Sequence, residues 1–237
     1  PMVCENNFYT MKGLVYTSDG TDYVELVREE MGLPKENGET LLRLDAELAE
    51  QYKQQAIEQL TALGVTFPVE MDYYIAAANQ VSLDSANVLA QSISNSLGDD
   101  FMKLNIKTYV SSSTQEVLNP HLQSITMNGW GADYGDPQNY LGNEVSGNDS
   151  AYYSRTQNNI NDVEATEATQ DLLDTYAEFT AMVAEADAIT DDLDARYAAY
   201  AKAEAYMIDH VLTLPTYYNV PWCLTKINPY SKMNAMF

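Results

Sequence analysis

GWGADYGDP, residues 129–137, sets two glycines around a tryptophan and ends on an Asp-Pro step. Gly129 and Gly131 let the backbone turn sharply beside Trp130 and let another surface approach it closely. Asp133 follows as a single carboxylate between Ala132 and Tyr134. Asp136-Pro137 reads as a helix start, with Asp at the N-cap and Pro at the first helical position. Upstream, Leu122 to Met127 alternates in the manner of a strand. A strand, a short loop carrying one carboxylate and a helix N-terminus together form the usual ligand-presenting edge of an α/β layer. The same nine residues also allow a plainer reading, with Trp130 in the core, Asp133 forming an Asx turn and Asp136 serving only as a cap.

Working upstream, helix and strand patterns alternate. Thr21 or Asp22 to Met31 predicts a short helix with Val24, Leu26 and Val27 inside and Gly32 as its stop. Pro34 to Glu39 is a polar loop. Asp45 is the expected N-cap of a long helix whose stripe, Leu48, Tyr52, Ala56, Leu60 and Leu63, repeats by threes and fours before Gly64. Val69, Met71, Tyr73 and Ile75 alternate as a strand after Pro68. A helix over 83–97 with Ala86, Leu89, Ile93 and Leu97 inward leads to a second strand, 104–110. Ser111 to Thr114 can cap a short helix through Val117. This order argues for βαβ units and a largely parallel sheet.

Downstream the texture changes. Asn143 to Asp162, rich in Gly, Asn, Ser and Asp, reads as a long surface segment, either a functional loop or an excursion. Two helices follow, Ala165 to Ala186 with Leu172, Tyr176, Phe179 and Val183 inward, and Thr190 to Asp209 with Leu193, Tyr197, Tyr200 and Met207 inward. Asp187, Asp191, Asp192 and Asp194 lack the spacing of a calcium loop and read as helix-capping and solvated groups. Leu212 to Asn219 and Trp222 to Lys226 predict strands.

The chain carries 35 acidic against 12 basic residues, a net charge of −23. That field repels phosphate backbones, so nucleic acid is not an expected partner. Solvated acidic helix faces account for the charge, and attraction of amine-bearing ligands is the functional alternative. No window of apolar residues is long enough to span a membrane. Pro1-Met2-Val3-Cys4 has neither the basic nor the apolar region of a signal peptide. Cys4 and Cys223 make no metal or redox spacing, and pair only if the two ends are neighbours. His121 and His210 support no metal site and no nucleophilic triad. No catalytic residue, metal or cofactor is expected.

The pattern Trp130-x-Ala132-Asp133-Tyr134-x-Asp136-Pro137, followed by RYAAYAKAE at 196–204 and LPTYYN at 214–219, resembles the extracellular solute-binding proteins of peptide-importing ABC transporters, of the oligopeptide and dipeptide type. The resemblance covers nearly all of the chain and implies an α/β lobe of the type II periplasmic-binding-protein class, working by closure on a peptide. Members are about twice this length, so residues 1–237 match only the second lobe, with ends expected near the hinge. The implied partners are a peptide ligand, the first lobe of the same parent and an ABC permease. The implied location is outside the membrane, lipid-anchored through the parent or free in the periplasm. The family aspartate that pairs with a ligand's α-ammonium maps onto Asp133, with Trp130, Gly131, Ala132 and Tyr134 around it. Some members hold the ligand's carboxyl end with an arginine three residues before the tryptophan; here that residue is Met127. Related proteins take oligosaccharides, opines or nickel, which stand as alternatives. A further alternative is an acid hydrolase using Asp133 and Asp136 as paired carboxylates.

Overall fold

The computed structural model describes residues 2–5, 8–33 and 45–220. The expected loop at 34–39, the expected strand at 222–226 and Cys223 lie outside them. Two small sheets and two groups of helices make up the described molecule. Strand β1 (Met2–Glu5) pairs antiparallel with β4 (Tyr217–Val220), from Met2 opposite Val220 to Glu5 opposite Tyr217. Strand β2 (Val69–Ala76) pairs parallel with β3 (Met102–Tyr109), from Val69 opposite Met102 to Ala76 opposite Tyr109.

The βαβ unit expected from the sequence is therefore present, and its crossover is α3 (Gln80–Leu97). Asn79 starts that helix by accepting the Ser82 amide at 3.0 Å, and Gly98, at φ +84°, ends it. The segment expected as a third parallel strand, 122–127, is not one. Ile125 forms an isolated parallel bridge with Tyr73, and Ser124 donates its amide to the Asp72 carbonyl at 2.9 Å. The Asp72 amide in turn goes to Ser124 Oγ at 3.0 Å, so a side chain takes a donor that a ladder would otherwise use. The short helix expected after Ser111 is a π-turn, Thr114–Leu118. Glu116, inside that turn, reaches back with its carboxylate to accept the amides of Val110, Ser111 and Ser112 at 2.7–2.9 Å. Those amides hold its pKa down at about 2.

Helix α2 (Ala46–Ala62) starts where Asp45 accepts the Leu48 amide at 2.9 Å. Its stripe is a correction to the sequence reading, because no residue of α2 is buried. Tyr52 is 62% exposed, and Leu48 and Leu63 are exposed as well.

The main core lies in the other half. Helix α1 (Tyr23–Glu30), capped by Asp22, lays Tyr23, Val24 and Val27 against α7 (Leu193–Asp209), and α7 packs along α6 (Gln170–Ala188). Phe179, Tyr200, Ala201, Ala203 and Met207 are fully buried between them. Inside that core sits Glu204, fully buried. It accepts the Thr10 amide at 2.9 Å, the Thr10 hydroxyl at 2.5 Å and the Tyr23 hydroxyl at 3.0 Å. Burial raises its pKa, and these bonds supply the donors that a sheltered carboxyl needs.

Several boundaries shift for local reasons. Helix α6 begins at Gln170 rather than Ala165, because Thr169 Oγ1 ties back to the Glu164 carbonyl at 2.6 Å and the Thr166 amide at 2.9 Å. Asp192, not Thr190, caps α7 by accepting the Ala195 amide at 3.0 Å. Leu172 and Leu193, expected inward, stand exposed near the N-terminal ends of α6 and α7. The strand expected over 212–219 is confined to β4. Asn143 to Asp162 is not a surface excursion. It contains α5 (Tyr152–Thr156) and a 3₁₀ turn, Ile160–Asp162, and it buries Glu144, Val145, Ala151, Tyr153, Ser154 and Ile160. Among the described residues, no helix is long and apolar enough to cross a membrane.

Candidate ligand-binding site

Residues 129–137 leave the β2 edge after the Ile125 bridge and run into α4 (Gln138–Leu141). One buried side chain at the start of that helix shapes the loop. Asn139 Oδ1 accepts the Trp130 indole N–H at 3.0 Å and the Asp133 amide at 2.8 Å. The Trp130 ring, half-buried, packs on Tyr152 and Tyr153 with centroids 5.7 and 5.9 Å away. Ala132 lies against the edge of the main core. With backbone and indole both held, the Asp133 side chain points outward. It is exposed, and its carboxylate makes no hydrogen bond or ion pair with the described residues. Tyr134 is also exposed and donates its hydroxyl to the Gln138 side chain. Gly129 and Gly131 both face open space, with no atom within 4 Å of an added Cβ.

Asp136 behaves differently. Its Oδ1 accepts the Gln138 amide at 2.9 Å and its carbonyl accepts the Asn139 amide at 3.0 Å, the cap expected from Asp-Pro. Both carboxylate oxygens also face Arg196, with Nε to Oδ2 at 3.1 Å and Nη2 to Oδ1 at 3.2 Å. Such a two-pronged contact fixes orientation as well as charge. The same guanidinium closes the end of α6, donating to the carbonyls of Ala186, Asp187 and Ile189 at 3.0–3.2 Å. It also donates to the Tyr200 hydroxyl at 2.8 Å. Arg196 thereby ties the loop to the junction of the two long helices. Asp136 is committed to this network, which leaves Asp133 as the free carboxylate of the pair that a hydrolase would require. Two of the four acidic residues read as capping or solvated also have structural partners: Asp187 accepts the Tyr200 hydroxyl, and Asp194 accepts the Ser18 amide at 2.7 Å.

The roles of three residues in this neighbourhood escaped the sequence reading. Asn139 has no motif, although its place three residues after Asp136 puts it in the first turn. Arg196 carried a signal, as a cation opening a small-residue and tyrosine stripe with Tyr200 four residues on. Glu144 is buried beneath the loop's supports, with Tyr9 Oη at 3.0 Å, Thr213 Oγ1 at 3.1 Å and Asn158 Nδ2 at 3.1 Å. Burial lifts its pKa to about 7 against the pull of those three donors.

No family model matches the chain. The oligopeptide-binding protein SarA of Streptococcus gordonii is 30% identical over 234 residues, an alignment covering 90% of this chain and 34% of SarA. The substrate-binding domain of an oligopeptide ABC transporter from Bacillus anthracis superposes with a TM-score of 0.59 at 16% identity, covering 88% of this chain and 33% of that one. Listeria monocytogenes OppA bound to peptide gives 0.59 at 18%, covering 91% of this chain and 34% of that one. The chain thus spans about a third of the length of these three proteins. It is a homologue of the oligopeptide-binding proteins of ABC transporters, with their type II periplasmic-binding-protein-like fold over that third.

Proposed function

We propose that this chain is the second lobe of an extracellular peptide-binding protein, one that captures oligopeptides and delivers them to an ABC permease. The first lobe of the same parent supplies the opposite wall of the cleft, and a lipid on the parent holds the protein at the outer face of the membrane. The observation that carries the reading is the Asp133 carboxylate, uncommitted and outward-facing on a loop whose backbone and tryptophan are both held by Asn139. A carboxylate carried on a held backbone, with no cation of its own among the described residues, suits the α-ammonium group of a peptide. Closure of a second lobe would desolvate that pair, which strengthens it once formed and makes truncating either partner costly. Trp130, Gly131, Ala132 and Tyr134 form the surrounding surface, where the open glycine faces leave room for the ligand's main chain.

The test is a double-mutant cycle in the full-length parent, read by calorimetry. Asp133→Ala should cost roughly 2–5 kcal/mol of affinity for a peptide with a free amino terminus. The N-acetylated peptide should bind wild type weakly and lose little more on mutation. Equal losses for free and acetylated peptides would remove Asp133 from this role.

A further inference from the structure

Asn128 stands directly before the 129–134 loop, and Asn128-Gly129 is the one Asn-Gly step among the described residues. Both residues are exposed and belong to no helix or strand. The Gly129 amide donates to Asn128 Oδ1 at 2.9 Å and makes no other hydrogen bond among the described residues. The backbone nitrogen of Gly129 is therefore held against the side-chain carbonyl of the residue before it. That nitrogen and Asn128 Cγ are the two atoms that join when an asparagine cyclises onto its own backbone. Holding reacting atoms together in this way removes much of the entropic barrier to joining them.

Other asparagines lack this arrangement. Asn148, also exposed, turns its Oδ1 to the Ser150 amide at 2.9 Å, and Asn158 turns its own to the Ile160 amide at 3.0 Å. Asn87 and Asn95 lie inside α3, where the helical ladder claims the amide of the following residue. Each of these four is also followed by a residue with a side chain, at Asp149, Asn159, Val88 and Ser96. A Cβ on the attacking residue crowds the ring and narrows the backbone's choices, whereas glycine does neither.

We propose that Asn128-Gly129 is a self-modifying step, at which the Gly129 nitrogen displaces the Asn128 side-chain nitrogen as ammonia and leaves aspartate or isoaspartate at the entrance to the loop. Gly129 gives its amide proton to hydroxide and bonds to Asn128 Cγ. The Cγ–Nδ2 bond breaks, and the departing nitrogen takes a proton from water and leaves as ammonia. Water then adds to either carbonyl of the succinimide ring and breaks that carbonyl's bond to the Gly129 nitrogen. Opening at Cγ gives aspartate. Opening at the main-chain carbonyl routes the backbone through Cβ and Cγ and gives isoaspartate. The first product sets a new carboxylate on the approach to Asp133. The second lengthens the backbone just ahead of the segment that Asn139 holds. The chemistry does not depend on what the loop binds.

The full-length parent, kept folded for several days at neutral and mildly alkaline pH in heavy-oxygen water and then mapped by mass spectrometry, tests this. Residue 128 should exchange its amide for an acid carrying the solvent's oxygen, as both aspartate and isoaspartate, and faster at the higher pH. Asn148 should convert at least about ten-fold more slowly in the same sample. Gly129→Ala, whose added methyl meets no atom within 4 Å, should slow the step by about ten-fold or more, a barrier rise of about 1.4 kcal/mol. Asn37-Gly38, outside the described residues, is read at its own position and does not enter the result. Residue 128 staying asparagine in the folded protein withdraws the site, whether or not a urea-unfolded sample converts. Aspartate without isoaspartate would mean direct hydrolysis, and an unslowed Gly129→Ala would mean that cyclisation does not need the glycine. Either result overturns the proposal.

Discussion

The α1–α6–α7 half and the β2–α3–β3 half both carry apolar periodicity in their sequences, and they spend it differently. In the first, Tyr23, Phe179, Tyr200 and Met207 are completely sheltered, and a carboxylic acid, Glu204, is sealed among them with its donors in place. In the second, α3 covers the parallel pair but buries only Ala86 of its own residues, and α2 buries none. Helical spacing reports that a face is built to be covered, not which surface covers it. Among the described residues, no surface buries a residue of α2.

Substitutions should separate the halves. Phe179→Ala, at a fully buried position, should cost about 3–5 kcal/mol through lost contacts and the cavity left behind, read from denaturant unfolding. A loss below about 1 kcal/mol would mean that the helical half is not the tighter one.

The next effect depends on pH. The Glu144 carboxyl is lifted by burial from 4.5 to about 7, so the folded chain holds this proton more firmly than the unfolded one. Below about 4.5 both states are protonated. Between about 4.5 and about 7 the unfolded chain gives up this proton while the folded chain keeps it, so the stabilisation fully present below about 4.5 is lost as pH rises through about 7, a fall of roughly 3 kcal/mol. Glu144→Gln should flatten that decline relative to wild type in urea melts at about pH 5 and about pH 8. Parallel slopes in the two proteins would place the titration elsewhere.

Smallest of all should be Tyr52→Ser on α2, within about 0.5 kcal/mol in this chain alone, since the ring is 62% exposed. A loss of 2 kcal/mol or more would show α2 to be packed against the molecule after all.

How much was legible follows the same division. Caps that act within one turn, at Asp22, Asp45 and Asp136, were readable because the donor and acceptor are neighbours in sequence. The βαβ order was readable from spacing alone. The strand at 122–127 was not, because Ser124 replaces a ladder bond with its own hydroxyl, a choice that alternation does not record. Asp133 and Trp130 stood out by composition, whereas Asn139, Arg196 and Glu144 acquire their roles from partners 6–135 residues away. The burial of Asn143 to Asp162 was hidden by a polar composition, since its buried apolar and aromatic residues, Val145, Ala151, Tyr153 and Ile160, are scattered among Gly, Asn, Ser and Asp without a helical or strand period.

That last segment has a consequence for cleavage. By composition, Asn143 to Asp162 is where a protease would be expected to nick the chain. Its tip, Gly147 to Ser150, is its longest run of exposed residues, between buried Val145 and Ala151. The Tyr153 and Ser154 amides are both engaged by the Asn143 carbonyl, at 2.9 and 3.1 Å. Feeding the rest of this stretch into a protease cleft therefore requires the core around Phe179 to open, and its digestion rate becomes a clock for that opening rather than for loop motion.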